Sequence, residues 1–486
     1  MARFVFDWDD KYKSGIVQSD QLDILREALS VEDKNASLGR YRQSRKWVSI
    51  RRYAITSNGR FSIGLFPDIY KHIKDLNIPY TCIITDKFKQ KFKHGWIETE
   101  DYTPLELDMP PRYYQTECVV KCLKYGYGIS MIGTAGGKTL TMAMLVHNIN
   151  HLQKGKTLII TTPSLMNQIC DDFIDYGLTK YYSISKWDSD NSYSDADVVI
   201  ASNVILMSKK QDLSVLDKYN VLINDECHKL RGGNEINKII KKIKTPYKFG
   251  FTGSLPDSKI DIWNIVGKLG PVIYERKSEV LQKEGYIAPA QAVILKIDYA
   301  NPPIFTSRAS IDNPTGLYNE ECDFIYKNEF RNMTIGKLGS NLDKNALILV
   351  DRLEHQQHII DALEKYAPDK NIQYVRGEVE MKDREKIREL MEENDNVICV
   401  AMSSIFATGI NIKNIHYIIF ALTGKAKIRI LQSIGRGLRL HKDKEILTIF
   451  DLADNLHYGL KHLEQRLELY QEENINYAIK DIKEKK

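Results

Sequence analysis

Seven consecutive residues, Gly133-Thr134-Ala135-Gly136-Gly137-Lys138-Thr139, have the sizes and the charge that phosphate binding requires. Small residues let backbone N–H groups close around phosphate oxygens, and a helix starting at Lys138 adds the positive end of its dipole. Lys138 then reaches the β- and γ-phosphates of a nucleoside triphosphate, and the Thr139 hydroxyl completes the shell of a Mg²⁺ ion. Ile132 stands where the formal phosphate-loop pattern has its first glycine, so the segment alone also reads as a glycine-rich turn.

Asp225-Glu226-Cys227-His228 removes that ambiguity. It follows the apolar run Tyr219-Asn220-Val221-Leu222-Ile223-Asn224, a strand that ends at the carboxylates. Ligand sites in open α/β sheets lie at the carboxyl ends of strands, which places both acids beside the phosphate loop. Asp225 is the candidate to hold Mg²⁺ through water, and Glu226 to polarise the water for in-line phosphoryl transfer. Adjacent acids are common by chance. Together with the loop, in one α/β region, they point to a nucleoside triphosphatase using Mg²⁺.

The elements that must position these groups are legible in the hydropathy pattern. From about residue 101, short β-branched runs at Thr157–Thr161, Asp197–Ala201, Val221–Asn224 and Tyr247–Phe251 alternate with helical patterns such as Lys138–Asn150 and Ser164–Tyr176. Such alternation means βαβ units and a parallel sheet. It lapses between about residues 276 and 330, where turn signals cluster, and resumes with strands at Ala346–Val350, Ile372–Val375, Val397–Ala401, His416–Phe420 and Ile446–Phe450. Leu460, Leu463, Leu467 and Tyr470 recur at helical spacing, as on an amphipathic helix packing back onto the second α/β domain. The lysine-rich end from Lys480 reads as a frayed terminus. The expected division is a basic N-terminal domain over 1–100, a first α/β domain over 101–275, a linker or extension over 276–330, a second α/β domain over 331–455, and a C-terminal helix and tail over 456–486.

Composition bounds the class. Of 486 residues 43% are apolar and 27% charged, enough to build cores and too apolar for a disordered chain. The net charge of +5 is too small by itself to prove a polyanion partner, so distribution matters more. The seven cysteines are odd in number and scattered, and the Cys118/Cys122 pair finds no second pair to complete a zinc site; reduced thiols are expected. The start, MARFVFDWDD, is too acidic and too short of apolar length for a signal peptide, and no apolar run approaches ~18 residues. A cytoplasmic, membrane-free protein is expected, with the monomer favoured.

The motifs together resemble the DEAD/DEAH-type signature of superfamily-2 helicases. Arg112-Tyr113-Tyr114-Gln115 resembles the adenine-reading element, with Gln115 on the base edge. Thr162-Pro163-Ser164-Leu165-Met166-Asn167-Gln168 is similar to a first strand-tracking motif and Ala201-Ser202-Asn203 to a second. Phe251-Thr252-Gly253-Ser254 resembles the motif that couples hydrolysis to domain movement. In the second α/β domain, Ala407-Thr408-Gly409-Ile410-Asn411-Ile412 resembles a backbone-binding and ATP-sensing motif, with Asn411 where Asp is usual. Gln432-Ser433-Ile434-Gly435-Arg436-Gly437-Leu438-Arg439 looks like the Q-x-x-G-R-x-x-R motif in full. The resemblance implies two tandem RecA-like parallel-sheet domains between a small α+β N-terminal domain and a C-terminal helix. It also implies a catalytic set of Lys138, Asp225, Glu226, His228, Gln432, Arg436 and Arg439, the arginines contacting the γ-phosphate across the interdomain cleft. Nucleic-acid contacts would come from Thr162, Pro163, Ser202, Asn203 and Thr408, and nucleotide contacts from Arg112, Gln115, Gly409 and Asn411.

Within that superfamily the resemblance is nearest to phage UvsW-type branch-migration DNA helicases, which carry a small basic N-terminal domain with an aromatic and arginine-rich hairpin. Here Arg40 to Arg60 holds seven cations and no acid, including Arg42, Arg45, Lys46, Arg51 and Arg52, interleaved with Tyr41, Trp47 and Tyr53. Trp47–Ile50 and Arg60–Ile63 read as the two strands of a hairpin around Ser57-Asn58-Gly59. Such a cluster suits phosphate contact, although most charge runs are simply solvated faces. The implied activity is ATP-driven remodelling of forked or branched DNA in phage recombination, repair or replication. An RNA unwindase and the motor of a restriction-type translocase are the alternatives, because motor motifs grip a phosphate backbone that specifies neither sugar nor base.

Overall fold

The computed structural model describes residues 1–33, 50–76, 78–93, 101–107, 110–133, 135–153, 155–208, 211–230, 235–245, 247–305, 316–376, 381–403, 412–423, 444–472 and 475–485. It divides into two compact units: residues 1–132 with 137–277, and residues 278–486 with the short segment 133–136.

The first unit is built on a seven-stranded sheet in the order Val272–Arg276, Tyr127–Ile132, Tyr247–Thr252, Val221–Asp225, Thr157–Thr161, Val198–Ser202, Ile184–Trp187. Every pairing in it is parallel. The runs Thr-Leu-Ile-Ile-Thr, Val-Val-Ile-Ala-Ser and Val-Leu-Ile-Asn-Asp are buried along their whole length, as strands covered on both faces must be. Because all strands point the same way, Thr161, Ser202, Asp225 and Thr252 end on one edge. The register makes them neighbours: Ser202 lies opposite Thr161, Asn224 opposite Ile160 and Asp225 opposite Phe251.

Residues 1–93 add a four-stranded sheet in the order Arg60–Phe61, Ser14–Ser19, Ala2–Asp9, Tyr80–Ile84. Phe4, Phe6, Phe61 and Phe88 fill its interior and share one apolar core with Val266 and Leu269 of the seven-stranded layer. Of the hairpin expected around Gly59, Trp47, Val48 and Ser49 lie outside the described residues, and among the described ones Ile50 and Arg60–Phe61 are not paired with each other. Gly59 does turn the chain at φ +75, with the Arg60 carbonyl accepting from the Thr56 N–H at 2.9 Å. The flanking strands part company: Ile50–Tyr53 pairs with Ser30–Asp33, whereas Arg60–Phe61 pairs with Ser14–Ser19. Phe61 is pulled into the core against Phe6 and Phe88, and burial of apolar side chains sets strand placement more strongly than a nearby turn.

The second unit repeats the architecture, in the order Asn371–Val375, Val397–Met402, Ala346–Val350, Tyr417–Phe420, Leu447–Asp454, Ala290–Asp298, Asn476–Lys483, again all parallel. Two expectations are corrected here. The segment expected as a linker or extension, read as lacking the strand and helix pattern, supplies an interior strand, Ala290–Asp298, and the helix Gly316–Lys327. The end expected to fray forms the edge strand Asn476–Lys483. Its side chains are largely exposed, so it lacks the apolar alternation by which strands are recognised, and backbone pairing with Ala290–Asp298 holds it. The helix His457–Glu472 docks on the sheet, where Arg466 and Tyr470 both donate to Asp451 at 2.8 Å.

Candidate nucleotide site and nucleic-acid interface

The strand Tyr127–Ile132 delivers the chain to the glycine loop, and the helix Lys138–Gln153 carries it away. Within the loop the Gly136 N–H donates to the Gly133 carbonyl at 3.0 Å, and Ala135 sits at φ 63. Gly137 has φ +78, and a Cβ there would lie 2.3 Å from Gln115 Nε2, so only glycine allows that approach. Gln115 is buried. Its Nε2 donates to the Gly137 carbonyl at 3.2 Å and its Oε1 accepts from the Arg112 N–H at 2.8 Å. Gln115, expected on the base edge, is thereby tied to the glycine loop. Thr134 lies outside the described residues.

Asp225 ends its strand and accepts from the Thr161 hydroxyl at 3.0 Å. Burial and the Glu226 charge push its carboxyl above the usual range, against the pull of Lys138 and Thr161. Glu226 follows in the left-handed region at φ 50. Burial would raise its carboxyl, but the His228 hydrogen bond and the Lys138, His228 and Lys229 charges hold it below the usual range. The two acids thus have opposite tendencies under one lysine. Of the three described non-glycine residues with positive φ, Ala135 and Glu226 both fall in these motifs, which is where backbone strain concentrates in functional sites.

His228 is buried, its Nδ1 lying 3.1 Å from Glu226 Oε2 and 2.9 Å from Thr252 Oγ1. The Thr252 hydroxyl donates to the Ser254 carbonyl at 2.7 Å, so its oxygen accepts from the imidazole and the proton sits on Nδ1. A continuous polar line therefore runs from Glu226 through His228 to the Thr252-Gly253-Ser254 turn. The buried Asp225 carboxylate and the partly buried Glu226 carboxylate, both under the charge of Lys138, offer oxygens that fit Mg²⁺, a hard cation bound through oxygen and water.

On the same edge, Thr162 stands at the N-terminal boundary of the helix Pro163–Asp175, with Pro163 in its first turn, and Ser202 caps Asn203–Met207, its hydroxyl accepting from the Ile205 N–H at 3.0 Å. A cavity of ≈ 270 Å³ is lined by Thr161, Thr162, Asn203, Asp225, Glu226 and Lys229, among others. It brings the expected strand-tracking residues to the expected catalytic acids. Sequence reasoning passed over Thr161 and Lys229; Thr161 is the last residue of the strand beside Val221–Asp225, and only the pairing order shows that it meets Asp225. Thr408, Gly409, Asn411, Gln432, Arg436 and Arg439 lie outside the described residues, as do Arg42, Arg45, Lys46 and Trp47.

Arg51 and Arg52 are described, and both have acidic partners: Arg51 pairs with Glu27 at 2.6 Å and Arg52 with Asp33 at 3.3 Å. Arg60 pairs with Asp9 at 2.9 Å. The run that holds no acid in sequence meets acids in space, contributed by the helix Leu22–Ala28 and by the strands Ser30–Asp33 and Ala2–Asp9. Tyr53 donates its hydroxyl to Glu27 and lies beneath the Arg26 guanidinium, 4.6 Å from the ring centroid, and the nearby Phe61 is core.

Two parallel-sheet units, one with Lys138, Asp225, Glu226 and His228 gathered at the sheet's carboxyl edge, define a nucleotide-driven motor. Residues 108–257 match the family described as the type III restriction enzyme res subunit, and residues 331–441 the helicase conserved C-terminal domain. The chain is 33% identical over 398 residues to the ATP-dependent DNA helicase uvsW of Enterobacteria phage T4, a match that covers 76% of this chain and 77% of that protein. Among solved structures, T4 UvsW matches with 27% identity, 99% coverage of both chains and a TM-score of 0.43. A Dbp5 variant from S. cerevisiae bound to RNA and ADP BeF3 matches with 12% identity over 77% of this chain and 90% of its own, at a TM-score of 0.54, a likeness of fold. The chain belongs to the superfamily-2 helicases, in the UvsW family.

Proposed function

We propose that this chain is an ATP-dependent DNA helicase that remodels forked or branched duplexes. The observation that carries the reading is the meeting of Asp225 and Glu226, under the influence of Lys138 and His228, with Thr162 and Asn203 in one cavity. Backbone N–H groups of Gly133, Thr134, Ala135, Gly136 and Gly137 cradle the phosphates, and Lys138 neutralises them. Arg112 and Gln115 hold the base edge. Thr139 and Asp225 would hold Mg²⁺, which supplies charge neutralisation at the β- and γ-oxygens. Glu226 accepts the proton of the attacking water, oriented by His228, and Arg436 and Arg439, with Gln432 beside them, stabilise charge on the transferred phosphoryl group.

Thr162, Pro163, Ser202, Asn203 and Thr408 track a strand, and Gly409 and Asn411 report nucleotide state to it. Closure on ATP and release after hydrolysis convert these contacts into steps. The N-terminal cluster of Arg42, Arg45, Lys46 and Trp47, with Arg51 and Arg52 exchanging their acidic partners for phosphates, grips duplex arms. The family's T4 member is named an ATP-dependent DNA helicase, which favours DNA over RNA as the partner. ATPase stimulation by a four-way junction, linear duplex, single-stranded DNA and RNA tests the proposal. The junction should lead; stimulation led by RNA would overturn it.

A further inference from the structure

We propose that the N-terminal domain holds the paired acids in their working shape through the helix Lys259–Leu269, with Leu269 as a positioning residue for Glu226. This rests on the ATPase reading above and gives the domain a part in hydrolysis besides DNA contact. The starting observation is Glu226 itself, whose backbone lies in the left-handed region at φ 50. A non-glycine residue keeps such a conformation only where the packing around it over-determines the chain. On one side Asp225 is fixed by its strand. On the other, Cys227 is fully buried, and its Sγ packs with Leu269 Cδ1 over Gly250. A Cβ at Gly250 would lie 2.9 Å from that sulfur and 2.7 Å from that methyl, so glycine is what lets both reach the strand.

Leu269 ends the helix Lys259–Leu269, and the N-terminal domain is seated on the same helix. Gly64, buried in the short turn Ile63–Leu65, meets the Val266 carbonyl so closely that a Cβ on it would lie 2.1 Å from the oxygen. Gly267 faces Ser62 in the same manner, its Cβ position 2.8 Å from the Ser62 Cβ. Neither Gly64 nor Gly267 has a positive φ, so each serves close approach alone. The Tyr127 hydroxyl donates to the Phe92 carbonyl at 2.7 Å, which ties the domain to the strand Tyr127–Ile132 as well. Leu65, Val266, Leu269 and Cys227 lie in one core. Protein interiors are close-packed and transmit displacement, so a shift of the domain against the helix reaches Leu269, then Cys227 and the strained Glu226.

The test uses the full chain, with steady-state ATPase and thermal unfolding measured on the same samples and rates compared well below each midpoint. Gly64→Ala should lower kcat about tenfold, as small misplacements of catalytic groups do, with the KM for ATP little changed. Leu269→Ala should act in the same direction, and Leu269→Met, which keeps the volume, should restore turnover. Gly267→Ala should also lower kcat, and adding Ser62→Gly, which clears the contact, should bring it back. That pair decides the matter should Gly64→Ala fail to fold. Full kcat per folded molecule in Gly64→Ala and Gly267→Ala, with only the midpoint lowered, would show a domain that merely covers the core and would overturn the proposal. A loss in Gly267→Ala that Ser62→Gly leaves in place would overturn it too. Failure of the underlying ATPase reading is separately visible, as a parent chain without turnover.

Discussion

The two seven-stranded sheets bury charge in opposite ways. In the second, two buried aspartates among the described residues are each paired with a buried arginine. Arg331, fully buried, donates to Asp454 from Nε at 2.8 Å and from Nη2 at 3.3 Å, and to the Ala421 carbonyl at 3.1 Å, while Tyr299 donates to Asp454 at 2.6 Å. Arg466 and Tyr470 both donate to one carboxylate oxygen of Asp451, Oδ2. In the first sheet, Asp225 and Glu226 sit side by side with Lys138 as the cation acting on both, and their carboxyls are driven apart, one up and one down. A closed pair is scaffold. An open one is poised for a ligand that brings the missing charge.

The comparison breaks most visibly at the open cluster. Lys138→Ala should abolish ATP hydrolysis in a folded protein that still holds DNA, and Glu226→Gln should keep ATP binding and lose turnover, because an amide cannot accept the water's proton. Steady-state ATPase paired with nucleotide titration decides both, and near-normal turnover in either variant would contradict the assignment. Arg436→Ala and Arg439→Ala should each lower kcat by about a thousandfold or more with little change in nucleotide Kd, as loss of transition-state stabilisation does. Weakened binding with intact kcat would remove them from that role.

The closed pairs should respond in stability and not in chemistry. Arg331→Ala leaves Asp454 buried without its cation, at a cost of about 3–5 kcal/mol. Hydrogen exchange at Tyr417–Phe420 and Leu447–Asp454 should accelerate while Val221–Asp225 stays protected.

A smaller effect follows from His355, buried beside Arg331 and stacked on Tyr326. Burial, then the charges of Arg331 and His358, hold its imidazole well below its ordinary pKa. The unfolded chain takes up this proton near pH 6.5 and the folded chain does not, so stability falls as pH drops below about 6.5, by at most about 1.4 kcal/mol per pH unit. A His355→Gln variant should show a flatter decline in thermal midpoint between pH 6.5 and 5.

The smallest effect lies in the N-terminal cluster, where neutralising Arg42, Arg45 and Lys46 should flatten the salt dependence of junction affinity by about one log–log unit per lost phosphate contact. An unchanged slope would leave these charges as a solvated face. Arg51→Ala should change the slope less, since its charge is already engaged by Glu27.

Much of the motor is legible in the amino-acid sequence because its signals are local. The strands Thr157–Thr161 and Ala346–Val350 match the apolar runs residue for residue, and the helix from Lys138 begins where the glycine loop ends. Buried parallel strands write themselves as uninterrupted apolar runs, and the chemistry at their ends follows in the next few residues. Elements whose burial is shared across the chain left weaker traces. Ala290–Asp298 lies among turn signals, and Asn476–Lys483 is an exposed edge with lysines along it. Their places depend on backbone pairing to strands far away in sequence.

The sequence by itself determined the residue types at the phosphate loop, the paired acids and the alternation that orders strands and helices, since each is a pattern within a dozen residues. Tertiary structure alone decided which of these groups meet. Thr161 reaches Asp225 because Thr157–Thr161 is the neighbour of Val221–Asp225, and His228 reaches Thr252 because Tyr247–Thr252 is the other neighbour. It likewise decided that Arg51, Arg52 and Arg60, free of acids along the chain, face Glu27, Asp33 and Asp9 in space. Charge interacts through distance in space, and strand order, which sets that distance, is a property of the whole core.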